Sequence, residues 1–347
     1  NVYRDDIDGI PDLVCYWFNK AEKLLEKGKV DKVGVLATQA IRGGTNRQVL
    51  DRIVKNAEIF MAWDDKEWIL DGANVHVSIV GFGKAIEGRS KYLNGRQVSY
   101  INSQLDAGTD ITSTFSLNEN IGLSFQGVVM RGKFNITSSQ ASSMLEEINP
   151  SKVKNSDVIK MRKTGSDILS KSDDSYVIDF GNRTEKEAAA YIAPFNYLKQ
   201  NVYPDRQKST QIEAREKWWT YWRSREQMRK IILNLPRYIA TPRVSKHRVF
   251  VWLESYIIPD NAIVVFTRSD DYFMGVLHSR VHELWSRKKG TQLRDAVSGF
   301  RYTPESTFLT FSFPWQPGKE LWEDEKLKKI SIISKMLMEF RNKWLYP

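Results

Sequence analysis

The sequence predicts an α/β fold in which a layered first domain gives way to a mixed α+β domain and the chain closes in a single helix. Three observations lead there. The chain has 347 residues, 41% of them hydrophobic, which suffices for about two domains with proper cores. Up to about residue 105, helical periodicity alternates with short apolar runs, the pattern of helices layered on a sheet. Beyond about Asp106 the segments shorten, Ser, Thr, Asn and Gly become frequent, and acids mix with bases. A change of domain is therefore expected near residue 106.

The first helix is expected over 12–28, with Leu13, Tyr16, Trp17, Lys20 and Leu24 recurring near i+3/i+4 and Gly28 as its stop. Residues 32–38 form a β-branched run suited to a buried parallel strand. Residues 41–46 read as a turn, after which Thr45 or Asn46 is placed to cap a helix over 47–56. Residues 59–63 and 75–82 read as strands, and 92–98 as a hairpin around Asn94-Gly95. Further on, 148–157 is a loop and 185–191 a helix. A longer helix is expected over 213–233; its Trp218, Trp219, Trp222, Met228 and Ile232 are explained chiefly by core packing. Residues 263–267 and 308–313 read as strands. Residues 326–345 form an amphipathic helix with Ile330, Ile333, Leu337, Phe340 and Trp344 on one side.

Several function classes are disfavoured. No apolar run approaches the ~20 residues that a membrane span needs, so no membrane partner is expected. The start, Asn1-Val2-Tyr3-Arg4, has neither a signal-peptide core nor an initiator Met, and the sequence reads as a segment of a longer protein. The lone cysteine, Cys15, excludes an internal disulfide framework and fits a reducing, cytoplasmic location. It sits in the apolar run Leu13-Val14-Cys15-Tyr16-Trp17-Phe18 and is expected in the core. His278 and His282 have the i, i+4 spacing that can hold zinc, with Glu283 beside them. No third ligand is evident, so buried hydrogen-bonded histidines are expected and no metal. Gly81-Phe82-Gly83 lacks the third glycine and the helix of a dinucleotide fingerprint.

Charge points to a polyanion. Residues 196–301 hold 20 Lys and Arg against 10 Asp and Glu, a net of +10, while the rest of the chain is balanced at 32 against 32. A phosphate-binding face calls for such confinement, because each neutralised phosphate releases condensed counterions. Within this region, residues 237–252 carry four permanent cations, one histidine, three aromatics and no acid. Cations interleaved with aromatics suit a nucleic acid; the plainer alternative is a solvated basic loop before an ordinary strand.

Taken together, the segments resemble the MmeI-like family of DNA adenine-N6 methyltransferases, often fused to a nuclease as type IIL restriction–modification enzymes. The resemblance rests on Asp12-Leu13-Val14-Cys15-Tyr16-Trp17-Phe18, Ala37-Thr38-Gln39-Ala40-Ile41-Arg42-Gly43-Gly44, and Asp71-Gly72-Ala73-Asn74-Val75. It continues through Ile178-Asp179-Phe180-Gly181, the 237–252 block, Gly275-Val276-Leu277-His278-Ser279-Arg280, His282-Glu283-Leu284-Trp285 and Arg301-Tyr302-Thr303-Pro304. It runs in order along nearly the whole chain.

The resemblance implies that 1–105 is the C-terminal part of a Rossmann-like methyltransferase sheet, 106–318 a target recognition domain, and 319–347 the start of a helical region. The half that binds S-adenosyl-L-methionine and the Asn-Pro-Pro-aromatic catalytic motif would lie upstream, outside this chain. Double-stranded DNA and the upstream part of the same polypeptide are the implied partners. Adenine N6 lies inside the duplex, so the base must be flipped out. In the family an aromatic shortly before a Val-x-Val-Ser-like strand stacks on that base, and Trp68 precedes Val75-His76-Val77-Ser78; a core Trp beside Trp63 is the plainer alternative.

Arg243, Lys246, His247 and Arg248 follow the turn-forming Pro242 and are expected chiefly on phosphates. Arg280, Arg287, Lys288, Lys289 and Arg301 are expected to add to that contact. In the polar segment 287–301, Arg294 and Asp295 are the expected base readers, since Arg pairs with guanine O6/N7 and Asp accepts from cytosine N4. Two other readings compete: a non-catalytic DNA-specificity module acting in trans, and an RNA-binding or RNA-modifying protein.

Overall fold

A computed structural model describes residues 11–70, 73–108, 114–170, 175–292 and 299–345. The chain divides into two compact units, Asn1–Thr114 with Thr291–Ser298, and Phe115–Gly290 with Gly299–Pro347. Among the described residues, no helix is long and apolar enough to cross a membrane.

The first unit runs α1 (Val14–Glu26), β1 (Lys32–Thr38), α2 (Gln48–Asn56), β2 (Glu58–Leu70), β3 (Ala73–Gly83), β4 (Lys91–Leu93) and β5 (Arg96–Val98). Its sheet has the order β1-β3-β2-β4-β5. β3 is antiparallel to both β1 and β2. The strand at 32–38 is therefore present but antiparallel, and of its residues only Ala37 is buried. A β-branched run cannot name its partner, and this one lies at an edge of the described sheet. The expected hairpin forms, with Asn94 at φ 52° and Gly95 at φ 77°, the left-handed pair that a type I′ turn requires.

α1 presents a different face from the one expected. Cys15, Phe18, Asn19, Glu22 and Leu25 are buried, while Leu13 and Trp17 are exposed. Two of the buried positions are polar. Asn19 Oδ1 and Glu22 Oε2 each accept from the Arg52 guanidinium at 2.6 Å, and Glu22 Oε1 accepts from Asn56 Nδ2 at 3.1 Å. A satisfied polar pair belongs inside, and a pattern built on apolar residues misses it. Cys15 is in the core as expected, and burial raises its thiol pKa to about 11. Neither Thr45 nor Asn46 caps α2, whose N-cap is Arg47. Asn46 Oδ1 instead accepts from the Asp12 backbone N–H at 2.8 Å.

The second unit contains β6 (Ser124–Gln126), β7 (Asn135–Ile136), α3 (Ser138–Glu146), β8 (Ile159–Lys163), β9 (Ser175–Ile178), α4 (Glu185–Ala189), α5 (Ile192–Asn201), α6 (Tyr203–Gln207), α7 (Ile212–Glu216) and α8 (Glu226–Ile232). It continues with β10 (Arg237–Pro242), β11 (Val244–Ser245), β12 (Val251–Glu254), β13 (Ile258–Pro259), β14 (Ile263–Phe266), α9 (Asp271–His278), α10 (Arg280–Lys289) and α11 (Glu325–Leu345). Two four-stranded sheets organise it, β12-β10-β14-β6 and β13-β8-β9-β7. All their pairings are antiparallel except β13 with β8, in keeping with the mixed α and β character expected.

Three expectations change here. The helix over 213–233 is broken into α7 and α8, with Arg225 left-handed at φ 56° between them. Trp218 Nε1 donates to Glu185 and Trp219 Nε1 to the Arg183 carbonyl, and the Arg223 backbone pairs with Val129; these tertiary bonds outbid a continuous helix. Residues 308–313 are not a strand. A π-helical turn, Pro304–Phe308, precedes them, and Asn120 Nδ2 donates to the Phe308 and Phe311 carbonyls at 3.1 and 2.7 Å, in place of ladder bonds. Phe308, Phe311 and Phe313 are nonetheless core residues.

α11 forms as expected but buries Leu327, Ser334 and Met338, leaving Ile333, Leu337, Phe340 and Trp344 exposed. The choice follows from close approach. A Cβ at Gly275 of α9 would lie 2.7 Å from Ile330 and 3.2 Å from Ser334, so the small residues on that stripe set the contact.

Candidate nucleic-acid interface

The 237–252 block folds as strand, turn and strand. β10 pairs antiparallel with β12, Ile239 opposite Trp252, and with β14, Pro242 opposite Ile263. Pro can sit at that end because its missing N–H ends the ladder. Thr241 Oγ1 donates to the Val249 carbonyl at 2.7 Å and ties the base of the turn. Lys246 and His247 stand exposed on it. Arg237, at the block's start, lies 3.7 Å from the centroid of Trp252 and pairs with Asp271 at 3.0 Å.

Arg248 is drawn inward, contrary to its expected place on a phosphate. Its guanidinium donates to the Phe300 carbonyl at 2.9 Å, to Thr241 Oγ1 at 3.3 Å and to the Pro242 carbonyl. Burial lowers its pKa to about 10. A guanidinium with its donors filled by main chain is tying two segments together.

Arg243 and Arg301 behave differently. The strand pair Val244–Arg301 and Ser245–Phe300 sets them side by side, and the Tyr302 N–H donates to the Arg243 carbonyl at 2.7 Å. Both line a cavity of about 380 Å³ with Gly165, Ser166, Leu169, Val244, Asn261 and Ala262. Arg301 Nε is buried and has no hydrogen-bond partner among the described residues. Burial first, and then the charge of Arg301, lower the pKa of Arg243; Glu305 opposes them. Gly299, at φ 84°, allows this strand pair to close, because a Cβ there would fall 2.4 Å from the Ser245 carbonyl oxygen.

Two arginines escaped the sequence reading. Arg225 donates to Gln126 Oε1 at 3.3 Å, while Gln126 Nε2 donates to the Asn261 carbonyl at 2.9 Å. Burial lowers the pKa of Arg225, and the charges of Arg223 and Arg243 lower it further. The signal available was Trp222-Arg223-Ser224-Arg225, but a helical reading turns residues two apart away from each other.

On α10, Arg280 and Arg287 both engage Glu283, at 2.7 and 2.9 Å. Those two bonds hold the Glu283 carboxyl below its usual range. Arg287 also faces the Phe300 ring at 5.8 Å, and Lys289 the Trp285 ring at 5.9 Å. Lys288 is exposed at the end of the same helix. Arg294 and Asp295 lie outside the described residues.

The two histidines are split between helices, His278 ending α9 and His282 within α10. His278 Nε2 accepts from the Phe250 N–H at 3.2 Å. His282 is buried between the Leu277 carbonyl at 2.8 Å and Tyr302 Oη at 3.0 Å. Burial lowers their pKa values to about 4 and about 3. They are hydrogen-bonded packing residues. Among the described residues, no group of three or more His, Cys, Asp or Glu is placed to hold a metal ion.

In the first unit, Trp68 lies on β2 opposite Val75 and is 40% exposed, not packed in the core. A bulge between Trp63 and Lys66 interrupts the ladder before it. Beside the bulge His76 Nδ1 meets Asp65 at 2.6 Å.

No family model matches the chain, and no curated protein matches it. Solved structures that match include the following two. The type IIL restriction–modification enzyme MmeI in complex with DNA superposes with a TM-score of 0.77 at 18% identity, over 96% of this chain and 45% of that chain. The type IIG restriction endonuclease BpuSI gives a TM-score of 0.37 at 10% identity, over 88% of this chain and 42% of that one. This chain therefore has the fold of a portion of MmeI and spans less than half of its length. The resemblance carried by the sequence motifs is met by the fold.

Proposed function

We propose that this chain is the sequence-recognition portion, with the adjoining end of the methyltransferase domain, of an S-adenosylmethionine-dependent DNA adenine-N6 methyltransferase of a restriction–modification system. The observation that carries the reading is the meeting of Arg243 and Arg301 on one cavity, inside the region that holds all the excess positive charge. The fold shared with a restriction–modification enzyme solved on DNA supports it. Duplex DNA is the partner. Lys246, Arg280, Arg287, Lys288 and Lys289 contribute long-range attraction, and His247 stands beside Lys246 as a further polar contact.

The Gly81-Phe82-Gly83 run is not where we place the methyl donor. Gly81 and Gly83 lie within β3, which leads into β4 and not into a helix, so no glycine-rich turn meets a helix N-terminus there. We assign the donor to a part of the protein outside this chain, which spans less than half of the similar MmeI chain. Within this chain, Trp68 is assigned to stacking on the flipped adenine, for which its exposure leaves it available.

The test uses the purified chain with duplex DNA and RNA of matched length, read by fluorescence anisotropy. Duplex DNA should bind more tightly, and equal or tighter RNA binding overturns the reading. With labelled S-adenosylmethionine the chain alone should transfer no methyl group to DNA; turnover above background would show that the donor site is here.

A further inference from the structure

Four arginines from three segments lie near one another, Arg243 and Arg301 on the cavity and Arg223 and Arg225 beside Arg243, each placed by main-chain bonds or by one oriented amide. Arg301 sits opposite Val244 on a neighbouring antiparallel strand. The Arg243 N–H donates to the Ala262 carbonyl at 2.7 Å. Arg225 is held by Gln126, whose amide is oriented by Asn261. Arg223 exchanges both backbone bonds with Val129, at 3.0 Å each, and Val128 is bonded to Pro259 just before that turn. Close backbone approach holds this corner together, for a Cβ at Gly127 would lie 2.1 Å from the Asp260 carbonyl oxygen.

Resting on the DNA-binding reading, we propose that Arg223, Arg225, Arg243 and Arg301 form a cradle for one backbone phosphodiester of duplex DNA, with Gln126 as the residue that positions Arg225. The electrostatics favour a phosphate over a base edge. Burial and mutual repulsion both weaken the charged state of Arg225 and Arg243, and Glu305 is the carboxylate that acts on them. A guanine edge is neutral and leaves four like charges facing one another. A phosphodiester brings the missing negative charge and matches the guanidinium fork.

The test measures binding of the chain to a short duplex of random sequence across a salt series. Arg225→Gln and Arg301→Gln should each weaken binding and lower the slope of log K against log salt, by at most about 0.9 because the cradle holds one phosphate. Gln126→Leu should weaken binding in the same direction with Arg225 retained. Glu305→Gln should tighten binding roughly two- to five-fold, a gain that misfolding cannot produce. A duplex whose phosphates are partly replaced by neutral methylphosphonates should lose more affinity for the wild type than for Arg225→Gln. Wild-type binding with unchanged slopes in both arginine variants overturns the cradle and leaves the DNA reading standing. So does a change of base preference at constant slope. A wild-type chain that binds no duplex overturns both.

Discussion

The guanidinium of Arg248 lies 5.2 Å from the ring centroid of Tyr302, and the hydroxyl of Tyr302 meets Nε2 of His282 at 3.0 Å. A cation from the basic block is thereby joined to a histidine of α10 through one buried tyrosine. Phe250, between them, packs against both rings, with centroids 5.5 Å from His282 and 6.2 Å from Tyr302.

Arg248 therefore supports the interface without forming it. Arg248→Ala leaves the Phe300 and Pro242 carbonyls without their donor and opens space over Tyr302. The expected cost is about 3 kcal/mol of stability, read by urea unfolding. Arg248→Lys restores the charge but not the fork, and should recover only part of it. If Arg248→Ala unfolds like the wild type but lowers the DNA salt slope, this residue faces phosphate after all.

The buried histidines make stability depend on pH in a defined direction. Both are neutral in the folded chain, with pKa values near 4 and 3, while an unfolded histidine titrates near ~6.5. Between those values the unfolded chain binds more protons, so stability is full above about pH 6.5 and falls on acidification through this window. Each histidine contributes up to about 1.4 kcal/mol per pH unit there. Unfolding midpoints measured from pH 7 to 5, above most carboxylate titration, should fall. In His282→Asn that dependence should shrink, and an unaltered slope would show that His282 is not the titrating group.

Gly299→Ala tests how the strand carrying Arg301 is held. The new methyl group would meet the Ser245 carbonyl and the Lys246 nitrogen at 2.4 Å, on backbone at φ 84°. Stability should drop by about 3 kcal/mol, and DNA affinity should fall with it because Arg301 is displaced. A well-folded variant with full affinity would mean that the pairing of Val244 with Arg301 is dispensable.

For Trp68 the expectation concerns base flipping in the complete enzyme. Base–aromatic stacking is worth about 1–3 kcal/mol, so Trp68→Ala should reduce capture of an extrahelical base, seen as weaker 2-aminopurine fluorescence at the target adenine. Being 40% exposed, Trp68 should be removable with little loss of stability. Normal flipping by the folded variant would exclude the role.

Local signals in the sequence sufficed for several features. The Asn94-Gly95 hairpin needs two left-handed residues in succession, a demand that few residue pairs meet, and it is where expected. The β3 and β14 segments were legible from composition and alternation, as was the core position of Cys15. The confinement of positive charge to 196–301 is a property of the sequence alone, and it marked a region without ranking the cations inside it.

Tertiary structure decided which cations face outward and which are consumed inside. Arg243 and Arg248 are five residues apart in one basic block, yet one lines the cavity and the other bonds main chain at Phe300. Composition cannot separate them, because carbonyls from distant segments satisfy a guanidinium as well as a phosphate does. The same limit hid Arg223 and Arg225, where bonds to Val129 and Gln126 override local helix propensity. It also hid the buried face of α11, chosen by the absence of a side chain at Gly275 on another helix. Periodicity along one segment reports what that segment could bury; what it does bury depends on partners far away in the chain, through hydrogen bonds and close approach that no local pattern contains.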